Sequence, residues 1–222
     1  PFCALYNACG SCQNQISSYE YQLKTKQNIL KEMFEKYTKN IFEIIKSPKT
    51  LEYRHKIQFP ARETKNSKRV LLGYFKKNSH DLTNIKFCPL QPEIVNKIAQ
   101  FIRENYTLGC YNEIKKTGLL KHVITRISSS TGDILTTLVL NTTQDEFTEK
   151  YENQIFRFAK KLSSNFKEIK GVFVNFNPKN SNNILGLDTI KILGEDFILE
   201  KLGDEKELKT YKIGSTSFFQ VN

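Results

Sequence analysis

The sequence lacks any apolar run long enough for a membrane span, since its longest candidates, VLLGYF and ILTTLVL, have the length of strands. It shows no basic-then-apolar leader either, so we expect no secretion and no membrane partner. Low-complexity segments are also missing. What is present is a chain of 222 residues that is 39% hydrophobic, with 16 Phe and 10 Tyr, enough for a sizeable buried core.

Acidic residues are scarce: 23 Asp and Glu stand against 34 Lys and Arg, a formal net charge of +11. Such an excess favours a polyanionic partner, and nucleic acid is favoured over an anionic membrane. The alternative is a general basic bias in composition that only keeps the chain soluble. Between residues 53 and 77, eight Lys or Arg and four aromatic residues accompany one acid, Glu63. Cations neutralise phosphates and aromatic faces stack on unpaired bases, although most of these aromatics will belong to the core.

Cysteines are few, five in all, and nothing indicates an oxidising compartment, so we expect no disulfides. Three of them, Cys3, Cys9 and Cys12, open the chain. Zinc sites usually combine two CxxC-like pairs and only one is present, whereas iron–sulfur clusters accept less paired spacings. A fourth thiolate would come from Cys88, which precedes a proline, or from Cys110. The spacing favours an iron–sulfur cluster over zinc, and buried thiols that bind no metal are the third interpretation.

Apolar periodicity predicts an α+β fold: a mixed or antiparallel sheet with helices on one face and a possible strand–strand–helix duplication. One long helix begins at a capping box in Ser17–Glu20 and continues to about Lys46. Two further helices are predicted, one after Pro92 and one over 144–165. Strands are predicted in YRHKIQFPAR, RVLLGYFKK, LLKHVITRIS, DILTTLVLN and VFVNFNP, the last with half-buried alternation, and near ILGLD, DFILEKL and LKTYKIG.

Several motifs, read in order, resemble one family. CALYNACGSCQNQ and SYEYQLKTK, followed by YRHKIQF, GYFKKNSHDLTNIKFCPL, GLLKHVITR, NPKNSNNILG and SFFQVN, are similar to motifs of the RNA 5-methyluridine methyltransferases. These are S-adenosylmethionine-dependent (uracil-5-)-methyltransferases of the iron–sulfur type that act on 23S ribosomal RNA, close relatives of the tRNA enzyme. The resemblance covers essentially the whole chain.

The resemblance implies roles for individual residues. It places the ligands of a structural 4Fe-4S cluster on Cys3, Cys9, Cys12 and Cys88, leaving Cys110 as an ordinary buried thiol. It implies that Gln220 binds S-adenosylmethionine and that Phe218 lies beside the pocket for the target base. With the basic, aromatic segment, it gives the RNA-facing set Arg54, Lys56, Arg62, Phe75, His80, His122, Arg126 and Phe218. Each histidine could equally be an ordinary hydrogen-bonded strand residue.

The family's reaction needs parts that this sequence does not contain. A cysteine thiolate adds to uracil C6, a carboxylate helps to remove the C5 proton, and a Rossmann-like domain holds the cofactor. No Gly-rich cofactor turn occurs here, so we expect a fragment without catalytic residues. The expected parts are a cluster loop (1–16), a helix docking on the catalytic domain (17–47), an RNA-facing central domain (48–216) and the start of the methyltransferase domain (217–222).

These expectations define two functions. The first is a cytoplasmic rRNA methyltransferase, monomeric at full length, in which this segment binds ribosomal RNA in a single-stranded or loop region. If the long helix docks on a catalytic domain, part of its apolar face should be exposed here. The alternative is a non-enzymatic RNA-binding module with a structural zinc ion held by four cysteines. An electron-transfer ferredoxin domain fits poorly, because it gives the basic segment no role.

Overall fold

The computed structural model describes residues 2–179, 183–204 and 206–220. Its helices are α1 (Tyr19–Phe34), α2 (Glu93–Asn105), α3 (Gln144–Lys150) and α4 (Glu152–Asn165). Its strands are β1 (Lys56–Glu63), β2 (Val70–Phe75), β3 (Leu82–Asn84), β4 (Leu120–Ile127), β5 (Ile134–Leu140), β6 (Ile169–Phe176), β7 (Asp188–Gly194), β8 (Phe197–Leu202) and β9 (Lys209–Gly214). In the described part of the chain, no helix has the length and apolar character needed to cross a membrane.

A sheet in the order β3-β2-β1-β4-β5-β6-β7 carries the fold, and every neighbouring pair is antiparallel except β5 and β6. Helices α2 and α4 lie on one face. Val95, Ile98 and Ile102 of α2, at helical spacing, share one buried core with Ile155 and Leu162 of α4 and with alternate residues of the strands. The predicted α+β fold, with helices on one face of a largely antiparallel sheet, is confirmed.

The β8–β9 hairpin covers part of the opposite face. Ile198 and Ile213 of the hairpin pack with Leu135 and Phe173 of the sheet in a second, smaller core. Glu200 fixes this arrangement, since its carboxylate accepts hydrogen bonds from the backbone of the β4–β5 turn. These bonds hold the pKa of Glu200 below its ordinary value even though burial opposes them. The hairpin sits over β5 and β6, so the face formed by β1 and β4 lies beside it.

The first helix is shorter than the sequence predicts. It ends at Phe34, and the expected continuation to Lys46 is wrong. The chain turns at residues 35–40 and runs back along α1, where the Gln27 amide donates to the Phe42 carbonyl (3.2 Å) and accepts from the Ile44 N–H (2.7 Å). Exposed apolar residues nevertheless mark this region, as expected: Ile29, Met33, Phe34, Tyr37, Phe42 and Ile45.

Three other elements differ from prediction. The predicted loop after β2 contains the short strand β3, because residues 82–84 pair with the edge of β2. The predicted helix over 144–165 breaks at Tyr151, whose φ of −122° departs from helical geometry, into α3 and α4. Strand β6 is buried on both faces rather than half-buried, since helices cover one face and the hairpin covers the other.

Candidate functional site

Four cysteines converge at one end of the sheet. The cysteine site consists of Cys3, Cys9, Cys12 and Cys88, which line one small cavity. The cysteine loop, residues 2–16, is fixed against the β2–β3 edge: the Gly10 N–H donates to the Phe75 carbonyl (2.9 Å). Thr83 adds a side-chain hydrogen bond to the Ala8 carbonyl (2.9 Å). A Cβ at Gly10 would lie 2.7 Å from the Phe75 oxygen, so only glycine permits this approach.

The fourth cysteine is positioned by α2. Buried Asn96 accepts a hydrogen bond from the Cys88 N–H (2.8 Å) and donates one to the Cys88 carbonyl (3.2 Å). Burial raises the pKa of the Cys9 and Cys88 thiols above the ordinary value. A bound metal centre would therefore have to displace protons from these thiols.

At the cysteine site, four thiols line one cavity. Across the described residues, no group of three or more His, Cys, Asp or Glu side chains is arranged to hold a metal ion. Zinc requires its four sulfurs about 2.3 Å from one atom, whereas a cubane cluster binds each thiolate at a separate corner. The cluster itself stays a prediction.

The remaining cysteine is elsewhere. Cys110 lies in the main core beneath the helices, and burial raises the pKa of its thiol to about 12. It does not line the cavity of the cysteine site. Sequence spacing alone leaves Cys88 and Cys110 as competitors for the fourth position, and the fold brings only Cys88 to the other three.

Arg54 faces the cysteine loop. Its guanidinium donates to the Ser11 hydroxyl (2.8 Å) and lies over the Tyr74 ring, 5.6 Å from the centroid. The cation also lowers the pKa of the Cys88 thiol, against the larger opposite effect of burial. The sequence predicts Arg54 as an RNA contact, and the structure gives it these contacts with the cysteine loop instead of a place on the β1–β4 face.

Three predicted RNA-facing residues meet at the far end of β1. The strand-face cluster consists of Arg62, Phe75, His80 and Glu113. Arg62 lies over the Phe75 ring at 5.5 Å, and the Phe75 and His80 ring centroids are 5.4 Å apart. Glu113 pairs with Arg62 and lies 3.4 Å from the His80 Nδ1. The sequence analysis misses Glu113, which has no motif around it and meets Arg62 only through the fold.

His122 is adjacent to this cluster and is neutral at physiological pH. It pairs across β1–β4 with Pro60 and is half-buried. Burial, reinforced by the cations of Arg62 and Lys121, lowers the pKa of His122 to about 4. Its Nδ1 is buried without a hydrogen-bond partner among the described residues. A neutral imidazole of this kind can hydrogen-bond a base or hydroxyl but adds no charge toward phosphate.

Exposure differs among the remaining site residues that the sequence predicts. Lys56 pairs with Arg126 across β1–β4 and is half-buried, and burial lowers its pKa. Arg126 is only 4% exposed, because its guanidinium donates to the carbonyls of Ser215 and Ser217. It therefore anchors the segment after β9 and offers no surface to RNA here. That segment carries Phe218, which is 87% exposed, and Gln220, also exposed.

Known proteins resemble this chain over nearly its whole length. No family profile matches it. An uncharacterized RNA methyltransferase of Oceanobacillus iheyensis is 34% identical over 230 residues, covering 100% of this chain and 47% of that protein. One from Bacillus anthracis is 32% identical over 229 residues, covering 99% of the chain and 47% of the relative. The chain thus spans about half the length of the curated relatives it matches.

One solved structure shares the fold. The Pyrococcus abyssi tRNA (uracil-54, C5)-methyltransferase, crystallised with S-adenosyl-L-homocysteine, superposes with a TM-score of 0.67 at 22% identity. The match covers 97% of this chain and 48% of that protein. At this identity the likeness establishes the arrangement of helices and strands, which agrees with the α+β sheet described above.

Proposed function

We propose that this chain is part of an S-adenosylmethionine-dependent RNA methyltransferase that methylates C5 of uracil. The observation that carries the proposal is the similarity to proteins named RNA methyltransferase over 99–100% of the chain. The fold shared with a tRNA (uracil-54, C5)-methyltransferase supports the choice of uracil C5. The motif resemblance favours 23S ribosomal RNA as the substrate, with tRNA as the competing one.

In this proposal the segment binds RNA and contributes no catalytic group. Arg62 supplies a guanidinium for phosphate and the exposed His80 ring a stacking surface, while Lys56 adds charge at the other end of β1. Exposed Phe218 and Gln220 lie at the end of the described chain, where a target-base pocket and an S-adenosylmethionine site would begin. The catalytic cysteine and carboxylate belong to sequence beyond this segment.

The cysteine site has a structural role in this proposal. A 4Fe-4S cluster on Cys3, Cys9, Cys12 and Cys88 would cross-link the cysteine loop to the sheet when bound, without a redox step. Asn96 holds the backbone of Cys88 in place, and Gly10 fixes the loop against β2. The exposed apolar residues of α1 and its returning segment are where we propose that the remainder of the protein docks.

Methyl transfer from labelled S-adenosylmethionine and tritium release from RNA containing [5-³H]uridine test the activity together. Methylation at C5 must expel the C5 hydrogen, so a protein extended to the relatives' length should transfer methyl groups and release tritium in equal amounts. The 222-residue chain should bind RNA and do neither. Methyl transfer without tritium release would place the reaction on another atom, and 23S rRNA and tRNA transcripts tested side by side decide the substrate.

A further inference from the structure

A second concave site lies beside the cysteine loop. A pocket of about 750 Å³ opens between that loop, the first two turns of α1 and residues 47–54. We call it the loop pocket. Its walls include Ser11, Cys12 and Gln15, which also line the cavity of the cysteine site. The two sites therefore share one wall, and the loop that the cysteines fix also shapes the pocket.

The charge of the loop pocket has one sign. Lys26, Lys49 and Arg54 line it, and no Asp or Glu is among its described lining residues. Neither lysine forms an ion pair within the described ranges, and the hydrogen bonds of Arg54 go to the neutral Ser11. Three cations that line one pocket without a carboxylate favour an anion there, and Lys and Arg bind phosphate through charge-assisted hydrogen bonds.

Flat and amide-bearing side chains complete the wall. Phe2, Tyr19 and Tyr53 contribute aromatic surface, and Asn14 and Gln15 contribute amides. The side-chain amide oxygen of Gln15, Oε1, is buried without a hydrogen-bond partner in the described part of the chain. Aromatic faces stack on bases and amides hydrogen-bond to base edges, so these groups match a nucleoside attached to the phosphate. The volume is that of a small-molecule site and far exceeds the need of a lone phosphate.

We propose that the loop pocket binds one unpaired nucleotide of the RNA, with its phosphate on Lys26, Lys49 and Arg54 and its base against the aromatic wall. This inference rests on the proposed role in RNA methylation and adds a contact separate from the strand-face cluster. RNA held at both places would cross the end of the sheet from the cysteine loop toward β1 and β4. The cysteine site then serves recognition by fixing one wall of the pocket.

The double variant Lys26→Ala/Lys49→Ala tests the pocket, with Lys160→Ala/Lys167→Ala as the matched control on the helix-covered side. Fluorescence anisotropy with a labelled eight-nucleotide single-stranded RNA gives Kd over a series of salt concentrations. The pocket variant should bind about tenfold more weakly, and its plot of log K against log salt should be shallower by about 0.7, because the contact with one phosphate is lost. The control should match the parent protein. Equal losses in both variants, or none, would overturn the inference.

Photocrosslinking supplies a readout that does not depend on affinity. RNA containing 5-bromouridine should crosslink to peptides carrying Tyr19 or Tyr53, identified by mass spectrometry, and excess uridine monophosphate should compete only weakly. Crosslinks confined to β1, β2 and β4 would overturn the pocket alone and leave the proposed RNA function standing. Uridine monophosphate that competes as well as RNA would mark a free-nucleotide site, and failure of the parent chain to bind any RNA would overturn both proposals.

Discussion

The cysteine site and the strand-face cluster illustrate two ways of bringing distant residues together. The cysteine site combines a loop without regular structure, which single hydrogen bonds at Gly10 and Thr83 fix to β2 and β3, with a buried residue before α2. The strand-face cluster instead places Arg62 and Phe75 on strands whose register is set by backbone ladders, and loops add His80 and Glu113. A ladder holds side chains without help from a ligand, whereas the four thiols belong to free cysteines with no bond between them, and burial raises the pKa values of Cys9 and Cys88.

Replacing Cys88 with Ser should have the largest effect, because Cys88 is the one proposed cluster ligand that lies outside the cysteine loop. After anaerobic purification we expect about four iron atoms per chain in the parent protein and nearly none in Cys88→Ser. Iron, sulfide and zinc analysis with the visible absorption spectrum measures this. Cys110→Ser is the control and should keep its iron, since Cys110 lies in the main core.

A colourless parent protein containing stoichiometric zinc would contradict the cluster and favour the non-enzymatic RNA-binding module. RNA contacts by Arg62 should survive in Cys88→Ser, because the β1–β2 ladder holds Arg62 and the cysteine loop meets the sheet at the other edge of β2, through the Phe75 carbonyl and Thr83. Loss of those contacts together with the iron would show that the two sites are not built independently.

The half-buried imidazole of His122 makes the stability of the folded chain depend on pH. Its pKa is about 4 in the folded chain against 6.5 ordinarily, so the unfolded chain binds the proton more readily as pH falls. Stability contributed by neutral His122 is complete above pH 6.5 and is lost as pH falls from 6.5 toward 4. Urea unfolding at several pH values should show a steeper decline in the parent than in His122→Gln. Parallel curves for the two proteins would contradict this.

Arg62→Ala should weaken RNA binding about tenfold, the loss typical of one charge-assisted phosphate contact. Arg157→Ala, at an exposed position of α4, is the control with an equal change in charge. Anisotropy titrations of both variants at one low salt concentration measure the difference. Equal weakening by the two substitutions would mean that binding depends on total charge rather than on the strand face.

Sequence patterns predict the helices and strands of the core better than the segments that connect them. Helix α2 and strands β4 and β5 follow from apolar spacing, because that spacing reports directly on the buried face. The same rule fails at Ile41–Ile45, whose helix-like spacing belongs to an extended segment held by Gln27 and Tyr19 of α1. No local signal distinguishes the two cases, since the deciding hydrogen bonds join residues 15 to 28 positions apart.

The candidate sites show the same division. Motif resemblance names the four cysteines, and the fold brings them around one cavity. It cannot tell that Arg54 turns toward Ser11, 43 residues away, or that Arg126 is covered by the segment after β9. No sequence pattern predicts a role for Glu113, because it is a single acidic residue in a loop and its partner Arg62 lies 51 residues earlier. Orientation and long-range pairing depend on packing, which residue type and spacing do not encode.

Glu113→Gln should have the smallest effect and the opposite sign. The Glu113 carboxylate pairs with Arg62, so it occupies the guanidinium that a phosphate would otherwise bind. Removing its charge should tighten RNA binding about threefold at low salt, and the gain should vanish at high salt because the pair is partly exposed. Glu149→Gln on α3 is the control for charge alone. Weaker binding by Glu113→Gln would mean that Glu113 positions Arg62 for RNA, and the strand face would then depend on a loop contact as the cysteine site does.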